Sequence, residues 1–207
     1  MHKAMTFEHC NTVSESNPLI ASPLRMSDCS LITDGAAAII LASPQRARAF
    51  RREVLIRGSS QVNDVLPIAQ RDILAFEGPQ RAIHAALRQA GLTLIDLNFA
   101  EVHDCFTIAE LLIYEAMGLA PKGEGHRALD DGIVQAGGRL PVNLSGGLKA
   151  KGHPVGATGV SMHAMAFHQL TGNPIGLAAP DAEFGLLFNM GGMAVANYAT
   201  VLQARRA

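Results

Sequence analysis

Asn143-Leu-Ser-Gly-Gly-Leu-Lys-Ala-Lys-Gly-His153-Pro-Val-Gly-Ala-Thr-Gly159 contains five glycines and one histidine, the histidine set between Gly152 and Pro154. Glycine adopts backbone angles closed to other residues and lets the main chain pass close to a ligand. A proline after the histidine holds that residue in extended geometry. The pattern predicts an imidazole on a stiff, tight loop that feeds a helix from about 156 to 170. Such a histidine suits chemistry on something docked nearby. A glycine-rich turn with a hydrogen-bonding histidine is the plainer alternative, and this stretch alone leaves both open.

A second constellation lies upstream. Asn98-Phe-Ala-Glu-Val102 reads as a buried strand, followed by His103-Asp104-Cys105-Phe106. Thr107 to Met117 then reads as a helix, with Ile108, Leu111, Leu112 and Ala116 on one face. Asp104 is the expected N-cap, which puts Cys105 in the first helical turn. The positive end of a helix lowers the pKa of a thiol placed there, giving a usable acid/base or nucleophile. The alternative is a buried structural cysteine.

The chain has 207 residues, 48% hydrophobic and 17% charged, with a net charge of −1. That length fits one large domain, or one domain and a fragment, with a substantial core. Near-neutral charge gives no argument for nucleic acid or an anionic membrane. Cys10, Cys29 and Cys105 are odd in number and widely spaced, unlike a disulfide framework or a zinc site, so no metal is expected. No apolar run approaches the ~20 residues of a membrane span. Met1-His-Lys-Ala-Met-Thr lacks a signal-peptide core, and Ala204-Arg-Arg-Ala is not a peroxisomal signal. A cytoplasmic location is the simplest expectation.

Along the chain, residues 1 to about 33 are turn-rich. Gly35 to Ala42 is a continuous apolar run, ended by Ser43-Pro44, and a short helix follows towards Phe50. Strands are expected at 53–62, 98–102, 140–144, 183–188 and 193–203. Helices are expected at 79–90, 107–117 and 156–170, with a short one within 124–134. Gly91 is placed to end the first of these. Alternating strands and helices imply an α/β fold, with a mostly parallel five-stranded sheet and helices on both faces. The last two strands, joined through Gly191-Gly192, should be antiparallel. His163 and His168 on the last helix read as structural or surface residues.

Four motifs in order carry a resemblance: Thr33-Asp34-Gly35-Ala-Ala-Ala, His103-Asp104-Cys105-Phe106, Gly152-His153-Pro154 with Val-Gly-Ala-Thr-Gly, and Asn189-Met-Gly191-Gly192. Together they resemble the thiolases, in the sterol-carrier-protein-2 branch, from about Pro23 to near the carboxyl end. The resemblance implies a thiolase-like fold. Residues 1–50 would be the loop region and last strand of an amino-terminal half, and 51–207 the carboxyl-terminal domain. Thiolases are about twice this length, and their nucleophilic cysteine lies in a first half that is almost wholly absent here. Neither Cys10 nor Cys29 has the setting of that nucleophile.

By resemblance, His153 donates to a thioester oxygen and helps activate the nucleophile. His103 holds a water or that oxygen, Cys105 moves the alpha proton, and the Gly191 N–H lines a second oxyanion hole. Asn189 reads as a structural amide at a strand end. The implied activity is acyl-CoA C-acyl transfer, by Claisen condensation or thiolytic cleavage. The substrates are coenzyme A thioesters, with no permanently bound cofactor and coenzyme A contacts unassigned. The implied partners are another copy, or a chain supplying the first half. Two other readings stand beside it: a non-catalytic thiolase-like partner or acyl-CoA-binding protein, and an independent hydrolase using Cys105 with His103 or His153.

Overall fold

The computed structural model describes residues 5–205, so Met1–Ala4 and Arg206–Ala207, read above for targeting signals, lie outside it. The elements are α1 (Phe7–Asn11), β1 (Leu19–Ala21), β2 (Leu24–Arg25), α2 (Pro44–Ala47), β3 (Val54–Asn63), α3 (Glu77–Ala90), β4 (Phe99–Val102), α4 (Thr107–Met117), α5 (Arg127–Asp130), α6 (Gly147–Lys151), α7 (Thr158–Leu170), β5 (Phe184–Gly191) and β6 (Ala196–Ala204). Several boundaries follow directly from the residues. Gly91 and Gly118 end α3 and α4 in the left-handed conformation, each returning its N–H to the last turn. Pro44 starts α2 behind Ser43, whose hydroxyl accepts from Arg46 N.

The main sheet has the order β3-β6-β5-β4. Side chains alternate across it, so each strand feeds two cores. Leu186, Phe188, Val201, Ala100 and Val102 face one side and pack with Ile83, Ala86 and Leu87 of α3 and Ile113 and Met117 of α4. Leu187, Leu202 and Phe99 face the other side and pack with Met162, Ala166 and Leu170 of α7. Helices on both faces of an α/β sheet are therefore as expected.

The strand count and pairing are corrected. Among the described residues the sheet has four strands, and two of its three pairings are antiparallel. β3, β4 and β5 do share a direction. The short turn after Gly191 sends β6 back beside β5, and β6 inserts between β5 and β3 and reverses the pairing on both sides. The expected strand at 140–144 shrinks to one parallel bridge, Val142 to Ala100. Pro141 has no N–H to give, and Asn143 turns to φ 54°, so the ladder cannot extend. The apolar run 35–42 forms no strand at all. It passes alongside α7 with Ile40 and Leu41 largely exposed, and lines a cavity of about 650 Å³ with Phe50, His163 and Phe167.

Candidate active site

β4 delivers Glu101, His103, Asp104 and Cys105 to one edge of the sheet, and the glycine-rich run crosses above them. The rings of His103 and His153 meet edge to face, with centroids 5.0 Å apart and planes at 80°. Both residues are buried. The two histidines singled out from sequence, fifty residues apart in the chain, therefore form one site.

The run between them is not a plain loop. It contains the single helical turn α6, and its hold on β4 is polar. Ser145 N and Oγ both donate to the Glu101 carboxylate, Lys151 Nζ lies 3.2 Å from Glu101 Oε2, and Lys151 Nζ donates to Ser145 Oγ at 2.6 Å. Asp104 accepts from Leu148 N with both oxygens, at 2.9 and 3.1 Å. Both flanks of His103 thus grip the segment that leads to His153. Gly147 sits at φ 64°, where a Cβ would lie 2.1 Å from Asp104 Oδ2, so glycine is required for that grip.

A third strand of chain ties the two halves together. Ser30 N donates to Cys105 O at 2.8 Å, His153 N to Leu31 O at 3.1 Å, and Thr33 N to His153 O at 3.4 Å. Lys149 Nζ donates to Met26 O and Cys29 O, each at 2.7 Å. Residues 26–33 therefore strap the His103 loop to the His153 loop.

Electrostatics follow from burial. Taking an imidazole from water disfavours its charged form. His103 is pushed down to about 4, mainly by burial and further by His153, against the hydrogen bond to Asn189. His153 is lowered by burial as well. Both rings are neutral at pH 7. Thr158 Oγ1 donates its one hydrogen to Pro154 O at 3.1 Å, so it accepts from His153 Nδ1 at 2.7 Å. His153 therefore carries its proton on Nδ1, and its Nε2 is an acceptor.

Cys105 differs from expectation. α4 begins at Thr107 with Phe106 as its N-cap, and Asp104 is occupied with Leu148, so the thiol stands outside the helix. Burial pushes it up to about 11, with Asp104 and Cys29 adding to the rise. It is a thiol at neutral pH, not the lowered acid expected of a helical first turn. Gly191 ends β5 two residues past Asn189 and is exposed. The turn after it is strained, with Gly192, Met193 and Ala194 at φ 59°, 56° and 61°. Arg71 Nη2 braces it by donating to Met193 O at 2.6 Å.

Asn189, read as a plain amide, proves to hold His103: its Oδ1 lies 2.6 Å from His103 Nδ1. Glu101, Ser145, Lys151 and Thr158 carry no local sequence signal, because their roles depend on pairing across the fold. His163 bonds Gly159 O and Thr200 Oγ1, sewing α7 to β6.

Comparison with known proteins places the chain in a family. Residues 60–204 match the family described as thiolase C-terminal domain-like. The chain belongs to the thiolase family. It is 41% identical over 179 residues to an acetyl-CoA acetyltransferase of Methanothermobacter thermautotrophicus, covering 86% of this chain and 47% of that protein. It is 36% identical over 154 residues to the benzoylsuccinyl-CoA thiolase subunit BbsB of Thauera aromatica, covering 73% and 40%. Human sterol carrier protein 2 is 36% identical over 176 residues, covering 81% and 32%. The thiolase chain thus spans less than half the length of these relatives. Among solved structures, an Ltp2-ChsH2(DUF35) aldolase superposes with a TM-score of 0.77 at 24% identity, over 98% of this chain and 52% of that one. The fold is thiolase-like, and no helix among the described residues is long and apolar enough to cross a membrane.

Proposed function

We propose that this chain supplies the acid/base and oxyanion-binding half of a thiolase-type acyl-CoA C-acyltransferase, with the nucleophilic cysteine coming from an amino-terminal half. The contact between His103 and His153 carries the reading. A thiol brought to His153 would give its proton to the bare Nε2. The resulting imidazolium then donates to the thioester oxygen, while the thiolate attacks the carbonyl carbon. His153 is thus first base and then donor. Cys105, held as a thiol, is a proton donor: it protonates the alpha carbon as the carbon–carbon bond breaks, and the thiolate which that transfer leaves is the base that takes an alpha proton in the reverse, condensing direction. Gly191 N–H would face the second oxygen.

The substrate is a coenzyme A thioester, and the partner a chain carrying the first half or a further copy of this one. The unpaired apolar run 35–42 and the half-buried apolar residues of α7 beside it support such a partner. A hydrolase acting through Cys105 with His103 or His153 is disfavoured, since a thiol pushed up to about 11 is a poor nucleophile at neutral pH. The test is reconstitution with a first half and assay of acyl transfer between thioesters. His153→Ala should lower turnover by about 10² to 10³, the typical loss for one oxyanion donor, with little change in thermal midpoint. Unchanged turnover removes His153 from the mechanism. Acyl-CoA binding without any turnover in the reconstituted complex favours the non-catalytic partner instead.

A further inference from the structure

Asn189 ends up in contact with a titratable ring although its position suggested only a structural amide. An amide oxygen accepts hydrogen bonds and never donates them. With Asn189 Oδ1 at 2.6 Å, His103 Nδ1 must carry the hydrogen. We propose that Asn189 is a positioning residue that holds His103 as its Nδ1–H tautomer and presents Nε2 to the site as an acceptor.

Independent features fix this geometry. Asn189 lies within β5, paired with Tyr198 of β6, so its backbone is rigid. Gly159, at the start of α7, leaves room for the amide: a Cβ there would sit 3.0 Å from Asn189 Nδ2. The ring of His153, in T-shaped contact with it, restricts rotation of the buried His103 ring. A hydrogen-bonded partner on one ring nitrogen decides what the other can do. The catalytic consequence rests on the acyl-transfer reading, but the tautomer does not. Under that reading, Nε2 accepts one hydrogen of a bound water, leaving the second free to point at the thioester oxygen.

The experiment uses the full chain with ¹⁵N-labelled histidine. Long-range ¹H–¹⁵N correlations distinguish the two tautomers, with His103 assigned by loss of its signals in His103→Gln. The Nδ1–H pattern is expected in the wild type at pH 7.5. Asn189→Ala should shift His103 largely to the Nε2–H form. Asn189→Asp should keep the Nδ1–H pattern and raise the His103 titration midpoint by at least one unit, since a carboxylate replaces the amide. An Nε2–H pattern in the wild type, or a midpoint unmoved in Asn189→Asp, overturns the assignment, even if the alanine variant fails to fold. Turnover of the reconstituted enzyme judges the other reading separately. Undiminished turnover in Asn189→Ala, with its tautomer switched as expected, removes His103 from the chemistry and leaves the assignment standing.

Discussion

Glu101 and Lys151 form an ion pair at 3.2 Å with the carboxylate buried, and each residue lies two positions ahead of one of the facing histidines. The Glu101 side chain is only 3% exposed, and it is satisfied by three donors from Ser145 and Lys151. Through this pair, the position of His103 just past the end of β4 sets the position of His153 on the loop above.

Removing one member of such a pair strands a charge away from water. Lys151→Met should destabilise the chain by about 3–5 kcal/mol. The double variant Glu101→Gln/Lys151→Met should recover most of that loss. Urea denaturation midpoints at constant slope measure both. A single variant no less stable than the wild type would show that the pair does not hold the loop.

Gly147→Ala and Gly91→Ala separate backbone strain from collision. Both glycines have positive φ, but a Cβ at Gly91 meets nothing within 4 Å, whereas one at Gly147 meets Asp104. Gly91→Ala should cost about 1–2 kcal/mol, the left-handed penalty alone. Gly147→Ala should cost about 1–3 kcal/mol more, because the Asp104 grip must open. Equal losses by thermal unfolding would show that the grip gives way freely.

Acid should weaken the fold through His103. Its folded pKa of about 4 lies below the ordinary 6.5, so the unfolded chain binds more protons between these values. Its contribution is whole above pH 6.5 and is lost as pH falls from 6.5 towards 4, in total on the order of 3 kcal/mol. His153, also lowered, acts in the same sense. The stability difference between pH 7 and pH 4.5 should shrink in His103→Asn. An unchanged difference would place His103 in water.

Cys105 should resist alkylation. With its thiol raised from 9.0 to about 11, iodoacetamide at pH 7 should modify it about 100-fold more slowly than in the urea-unfolded chain. Peptide mapping by mass spectrometry separates it from Cys10 and Cys29. Folded and unfolded rates that agree would show a thiol unaffected by burial.

Local patterns were legible in the residues. The bounds of α4, the stop at Gly91 and the antiparallel final pair follow from spacing, capping and turn chemistry that act over a few residues. What depends on pairing between distant segments was not. The run 35–42 is apolar enough for a buried strand, yet apolarity does not supply a neighbour to bond with. The place of β6 between β3 and β5 is set by sheet assembly, which no local signal records. Cys105 illustrates the same limit at the site. Its expected acidity hinged on one cap, and Asp104 was drawn instead to Leu148, forty-four residues away.

The strap at 26–33 bears on where this unit can be cut. The family match opens at residue 60, so an excision along that boundary would leave out the segment that bonds the backbone of both Cys105 and His153. Such a truncated piece would keep every side chain named for chemistry and lose one wall of their enclosure. Transplanting the site into another scaffold therefore requires a discontinuous graft, with a short upstream ribbon carried along with the domain.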